Sequence, residues 1–162
     1  MKKVFGPHTR QVLEVLARLR SLSPGDVDLV TVAWKHASAV ERAEAWAQLN
    51  RATSRDERYP ILAAAAAGRR TAMDTARNLN RTDWAFWAAA WDVSAAVAAG
   101  DAIGGYFEVL AAPVAEVMPS LAEAEVSVQS PARVPSPRSQ HDSVAPAGPS
   151  PAPRGRSSRA TS

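Results

Sequence analysis

Residues Thr82–Gly100 read T-D-W-A-F-W-A-A-A-W-D-V-S-A-A-V-A-A-G, and this stretch constrains the fold more than any other. Thr82 is placed to cap a helix, with Asp83 in the first turn, where a carboxylate meets the positive helix end. Gly100 suits the position just beyond the last turn, because glycine adopts left-handed dihedrals without steric cost. Alanine, the strongest helix former, fills most of the interval. At roughly 100° per residue, Trp84, Trp87, Ala88, Trp91, Ala95 and Ala98 fall on one face, and Phe86, Ala90, Val93 and Val97 on the other. Asp92 and Ser94 occupy narrow strips between them. A helix apolar nearly all round is a buried helix, so the rest of the chain is expected to pack around this one.

The tryptophans admit two readings. Trp84, Trp87 and Trp91 form either an aromatic ridge that meets a partner or large indoles filling gaps between alanines. The core reading is favoured, since helical aromatic stripes are commonly buried and dominate core energetics. A membrane span is not expected, because Asp92, Asp101 and Glu108 interrupt a stretch that would need about 20 mainly apolar residues.

The flanking sequence divides into helices by its start and stop signals. Thr9–Leu22 places Val12, Val15, Leu16 and Leu19 on one face. Ser23-Pro24-Gly25-Asp26 combines a serine cap, a proline at the first helical position and an acid that reaches back, so a second helix runs to about His36. Val27, Val30, Trp34 and Ala37 line one side of it; His36 lies opposite, with no supporting carboxylate or second histidine, and is expected at the surface. Ser38-Ala39-Val40-Glu41 opens a third helix to about Ala52, with Ala43, Trp46 and Leu49 on its inner face. Ser54-Arg55-Asp56-Glu57 is another capping box. Pro60 then starts a helix or kinks a short one, and the pattern Ile61, Leu62, Ala65, Ala72, Met73, Ala76, Leu79 gives a fourth helix over about Pro60–Leu79. Beyond Gly100, Asp101 is expected to cap a last helix, weakened by Gly104-Gly105, carrying Tyr106, Phe107 and Leu110, and broken by Pro113 and Pro119.

From Ala122 onward the composition changes to proline, serine, alanine and arginine, with no aromatic residue and no helical period. The chain of 162 residues therefore reads as a helical domain over 1–121 and a disordered tail over 122–162. The tail concentrates the positive charge: of a formal net +3, Val126–Ser162 holds +4 and the remainder −1. The basic balance is thus no argument that the folded part binds nucleic acid. Ser130-Pro131, Ser136-Pro137 and Ser150-Pro151 are candidate phosphorylation sites and Pro149–Arg154 a candidate polyproline ligand, although a loosely constrained extension is the simpler reading.

No cysteine is present, which excludes disulfides, thiolate zinc sites and cysteine nucleophiles, and agrees with a cytoplasmic protein. The Met1–His8 start has basic residues but no apolar run behind them, so no secretory signal is expected. Glu41 and Glu44 lack the Glu-x-x-His pairs of a bundle di-metal site. No cofactor or metal ligand set and no catalytic constellation is legible: G-x-S-x-G is missing, and the only histidines are His8, His36 and His141. Arg69, at the edge of the fourth helix's apolar face, is a candidate partner for Asp92 if both are buried, since buried ions need partners.

Leu22-Ser23-Pro24-Gly25-Asp26 followed by Val27–Trp34, then Ala72-Met73-Asp74-Thr75-Ala76-Arg77-Asn78 continuing to Trp84–Asp92, then Tyr106–Pro113, together resemble a group of uncharacterised alanine- and tryptophan-rich helical proteins of high-GC bacteria. The resemblance spans about Leu22–Val114 and excludes the tail. Val114 stands where that group carries a tryptophan. The resemblance implies an all-helical fold and no particular activity.

The expectation is an all-α, compact bundle of five to six short helices, with a buried central helix and a disordered C-terminal tail. For function, the leading reading is a non-enzymatic protein-interaction module, with a protein partner or a second copy meeting part of the tryptophan surface. One alternative is a small-ligand or enzymatic pocket between helices using Asp92, Arg69 and a tryptophan. Another is polyanion binding through the arginine-rich tail.

Overall fold

The computed structural model describes residues 4–121. Six α-helices make up the bundle: α1 (Thr9–Arg20), α2 (Pro24–His36), α3 (Ala39–Ala52), α4 (Arg55–Asn78), α5 (Trp84–Ala99) and α6 (Phe107–Ala115). Short 3-10 segments precede α1 (Gly6–His8) and join α5 to α6 (Gly100–Tyr106). No strand occurs among the described residues. The expected tail over 122–162 lies outside them.

Local chemistry sets most helix starts. Ser23 accepts from the Asp26 amide at 3.1 Å while Asp26 Oδ2 accepts from the Ser23 amide at 3.0 Å, a reciprocal capping box. Ser54 and Glu57 form a second one, at 3.3 and 2.7 Å. At α3 only half of the box forms: Ser38 Oγ accepts from the Glu41 amide at 3.2 Å. The Ser54 box starts α4 at Arg55, five residues before the start expected at Pro60, and the helix continues through the proline. Pro60 lies early enough that it forfeits one backbone bond, to the carbonyl of the exposed Asp56.

The α4–α5 connection differs from expectation in a specific way. The cap of α5 is Asp83, whose Oδ1 accepts from the Ala85 amide at 3.0 Å; Thr82 is exposed and caps nothing. Asp83 also pairs with Lys35 of α2, which, ahead of the Ala85 amide, holds its carboxyl below the ordinary range. α4 closes with Asn80 in the left-handed region (φ 55°), the Arg81 amide reaching back to the Ala76 carbonyl at 2.7 Å and the Asn80 amide to Arg77 at 3.2 Å. These are the two bonds of a Schellman ending, with asparagine in place of the usual glycine. Arg81 then grips Asp28 of α2 through two bonds, at 3.0 and 3.3 Å.

α5 runs through the middle of the bundle, packed against α1, α2, α4 and α6. Its closest neighbour is α4, and the contact is made by small residues: Ala64, Ala65, Gly68, Ala72 and Ala76 are all buried along α4, as are Ala85, Ala89 and Ala90 along α5. Gly68 marks the tightest point. A Cβ there would stand 2.1 Å from Ser94 Oγ and 2.6 Å from the Ala90 carbonyl oxygen. Leu62, placed on the inner face by the pattern, is instead exposed, and Ala64 is buried; on α3, Ala43 is exposed and Ala45 buried. Leu19 of α1 is tied to α4 by the Thr75 hydroxyl, which donates to its carbonyl at 3.1 Å. Arg18 donates to the Val117 carbonyl at 3.2 and 3.3 Å, joining α1 to the chain beyond α6.

α5 ends at Gly100, whose dihedrals (φ 53°, ψ −127°) exclude a side chain; the His8 ring, 2.2 Å from where a Cβ would sit, excludes one independently. Asp101 is exposed and does not cap a helix. Gly104 leaves helical dihedrals altogether, so α6 begins only at Phe107 and continues through the buried Pro113 to Ala115. By length and composition alone, Trp84–Ala115 is apolar enough to cross a membrane. The fold divides that stretch into two helices at Gly100–Tyr106 and encloses α5 in protein on most of its circumference.

Gly68→Ala tests the α4–α5 contact. Alanine is intrinsically better in a helix by about 1 kcal/mol, yet here overpacking is expected to outweigh that and give a net loss of about 1–2 kcal/mol. Urea unfolding followed by circular dichroism measures it; a raised midpoint would mean that the two helices do not approach this closely.

Candidate functional site

The polar residues of α5 are inside, and its least-buried positions carry the tryptophans. Asp92, 6% exposed, and Ser94 are buried. Of the sixteen residues from Trp84 to Ala99, the four that are not buried are Trp84, Trp87, Ala88 and Trp91. They form one stripe, as the helical spacing predicts. The core reading is therefore corrected for Trp84, which is 58% exposed, whereas Trp87 and Trp91 are half-buried and pack against the edge of the core. The physical reason is that α1, α2, α4 and α6 cover the alanine- and valine-rich circumference of α5 and leave this stripe open.

Asp92 is held by residues that sequence reasoning did not assign to it. Trp34 Nε1 of α2 donates to Oδ2 at 3.2 Å, and Trp46 Nε1 of α3 donates to Oδ1 at 3.0 Å. Arg42 Nη1 of α3 stands 3.8 Å from Oδ2, and its guanidinium lies over the Trp34 ring, 3.7 Å from the centroid. That stack adds a cation–π attraction in a poorly hydrated setting. Burial pushes the Asp92 carboxyl above its usual range, against the two indole N–H groups and Arg42, which favour the charged form. The candidate Arg69–Asp92 pair does not form. Arg69 is exposed on α4, and Arg42 occupies the role. One signal for the true partners was available: a buried carboxylate requires donors, and Trp34 and Trp46 carry the N–H groups on the faces of α2 and α3 expected to turn inward.

All five tryptophans of the chain gather on this side. Trp84 meets Trp34 edge to face, with centroids 4.8 Å apart, and Trp91 tilts against Trp46 at 6.5 Å. Arg69, Trp84, Trp87, Trp91 and Asp92 are nevertheless brought together, with Ala88, around one cleft of about 250 Å³. A second cleft of about 300 Å³ is lined by Met73, Arg77, Asn80, Arg81, Thr82 and Trp87. Trp87 is common to both, and its buried Nε1 has no hydrogen-bond partner. His36 is exposed, as expected. No group of three or more His, Asp or Glu side chains suited to a metal ion occurs among the described residues. No family model matches the chain, nor does any curated protein or solved structure.

Two measurements follow from the Asp92 geometry. Asp92→Ala strands two indole N–H groups and a largely buried guanidinium, and is expected to cost about 3 kcal/mol, while Trp46→Phe removes one donor to a charged acceptor and costs about 1.5 kcal/mol; chemical denaturation of each variant checks both. With a folded pKa above the unfolded value, the folded state binds more protons in the interval between them. The stabilisation from Asp92 is therefore complete below about pH 3.8 and declines as pH rises through the raised pKa. The stability of the wild type minus that of Asp92→Ala is accordingly expected to fall across that interval; a difference that rises there would reverse the sign of the shift.

Proposed function

We propose that the protein is a non-enzymatic helical interaction module, and that the stripe Trp84, Trp87, Ala88, Trp91 with Arg69 is its contact surface. One observation carries the reading: the central helix buries its carboxylate and serine while its least-covered positions are three tryptophans, Trp84 exposed and Trp87 and Trp91 half-buried beside it. A helix that only filled a core would turn Asp92 outward, since hydration of a carboxylate is worth far more than that of an indole. Tryptophan and arginine are the residues over-represented where binding energy concentrates. An exposed Trp84 braced edge to face against Trp34 also offers an anchor that loses little conformational freedom on binding.

A ligand-binding or catalytic pocket around Asp92 and Arg69 has less support. Each Asp92 oxygen already accepts an indole N–H, and a cleft of about 250 Å³ is smaller than the usual small-molecule site of about 300–1,000 Å³. Polyanion binding by the arginine-rich tail concerns residues outside those described.

The test is site-specific photocrosslinking in the producing cell, with benzoylphenylalanine replacing Trp84 or, as control, the 80% exposed Val40 on α3. Position 84 is expected to give one or a few discrete adducts absent from position 40, an adduct at twice the chain mass identifying a second copy. No adduct specific to position 84 would overturn the proposal.

A further inference from the structure

We infer that the groove formed by α4 and the tryptophan stripe of α5 docks an acidic, amphipathic segment of a partner protein; this rests on reading that stripe as an interaction surface. Arg69, Met73 and Arg77 recur at one-turn intervals along the flank of α4 beside the stripe. Through Trp87, the two clefts adjoin, so the lined surface runs from Arg69 and Trp91 at one end to Arg81 at the other.

The polar chemistry facing this groove is one-sided. Three arginines line it: Arg69 is exposed and forms no ion pair among the described residues, Arg77 stands 3.5 Å from Asp74 at the surface, and Arg81 is held by Asp28. The Trp87 indole lines both clefts, and its Nε1 is buried without a hydrogen-bond partner. The one carboxylate in the lining, Asp92, is already engaged by Trp34, Trp46 and Arg42. An occupant that satisfies this surface brings acceptors and negative charge for the donors, and apolar side chains for the indoles. An amphipathic helix or extended segment with Asp or Glu beside aliphatic residues has both.

A single-stranded nucleic acid also combines charge with flat apolar groups, but the surface suits it poorly. Base stacking uses successive free ring faces, whereas Trp84 is the one exposed ring of the stripe, Trp91 tilting against Trp46 and both Trp87 and Trp91 packing on the core.

The experiment uses the full chain, immobilised, to select from a phage-displayed library of random 16-residue peptides. It is run in parallel on the wild type, Arg69→Glu and Trp84→Ser. Both substituted positions are exposed, and matching far-UV circular dichroism melts confirm that the variants fold. Enrichment of peptides bearing Asp or Glu among aliphatic residues is expected on the wild type. The tightest synthetic peptide should lose about tenfold or more in affinity on Arg69→Glu, where like charges meet, and should not bind Trp84→Ser. Enriched peptides that are neutral or basic yet lost on Trp84→Ser would overturn the acidic partner while leaving the interaction surface standing. Binding that survives Trp84→Ser would remove the surface itself, and with it this inference. No enrichment, together with capture of a labelled 16-residue oligothymidylate that Trp84→Ser abolishes, would replace the peptide with nucleic acid; no enrichment without such capture would overturn the inference outright.

Discussion

The Asp92 carboxylate, buried on the central helix, is the interaction on which the arrangement of α2, α3 and α5 depends. An ionised carboxylate removed from water is costly unless its oxygens are occupied. Here each oxygen takes one indole N–H, from Trp34 and Trp46, and Arg42 supplies the compensating charge while stacking on Trp34. α3 packs mainly on α6 and the Gly100–Tyr106 turn. Its defined polar attachments to α5 run through Trp46 and Arg42 to this one side chain. A group that opposes folding by its own desolvation thus becomes, once paired, the element that sets where α3 sits.

Satisfying Asp92 from within shapes the surface. The indoles recruited to it lie on one side of α5, where Trp84 meets Trp34 edge to face and Trp91 tilts against Trp46. Meanwhile α4 approaches the other side of the helix so closely that only glycine fits at position 68. Alanine-dense helices bury little apolar area per residue, so close approach and many small contacts replace large interlocking side chains. With its narrow residues given to that contact and its carboxylate facing α2 and α3, α5 turns its widest residues toward water.

That inversion links structure to the proposed role. Trp84, exposed beyond its contact with Trp34, costs solubility; with the half-buried Trp87 and Trp91 and the unpaired Arg69 beside it, it matches the composition of protein-binding surfaces. The only deeply buried carboxylate among the described residues, Asp92, is bonded on both oxygens.

The sequence by itself determined the helices and most of their beginnings. Ser23, Ser38 and Ser54 cap because a hydroxyl three residues from an amide satisfies it locally, whatever the rest of the chain does. The dominance of alanine, with Trp, Phe and Val around every side of Thr82–Gly100, likewise made a central helix inevitable once the chain became compact. Details governed by competition between neighbours were less legible: Asp83 rather than Thr82 caps α5 because Lys35 also holds it, and Pro60 sits inside α4 because the Ser54 box had already started the helix. Only tertiary structure decided which side of α5 remains open and which residues hold Asp92. A periodic pattern ranks the faces of one helix by polarity, but it cannot say where five other helices leave a gap. Nor can it pair a carboxylate with donors 46 and 58 residues distant in the chain. By sequence Arg69 was as suitable a partner as Arg42, and the packing of α3 settled the choice.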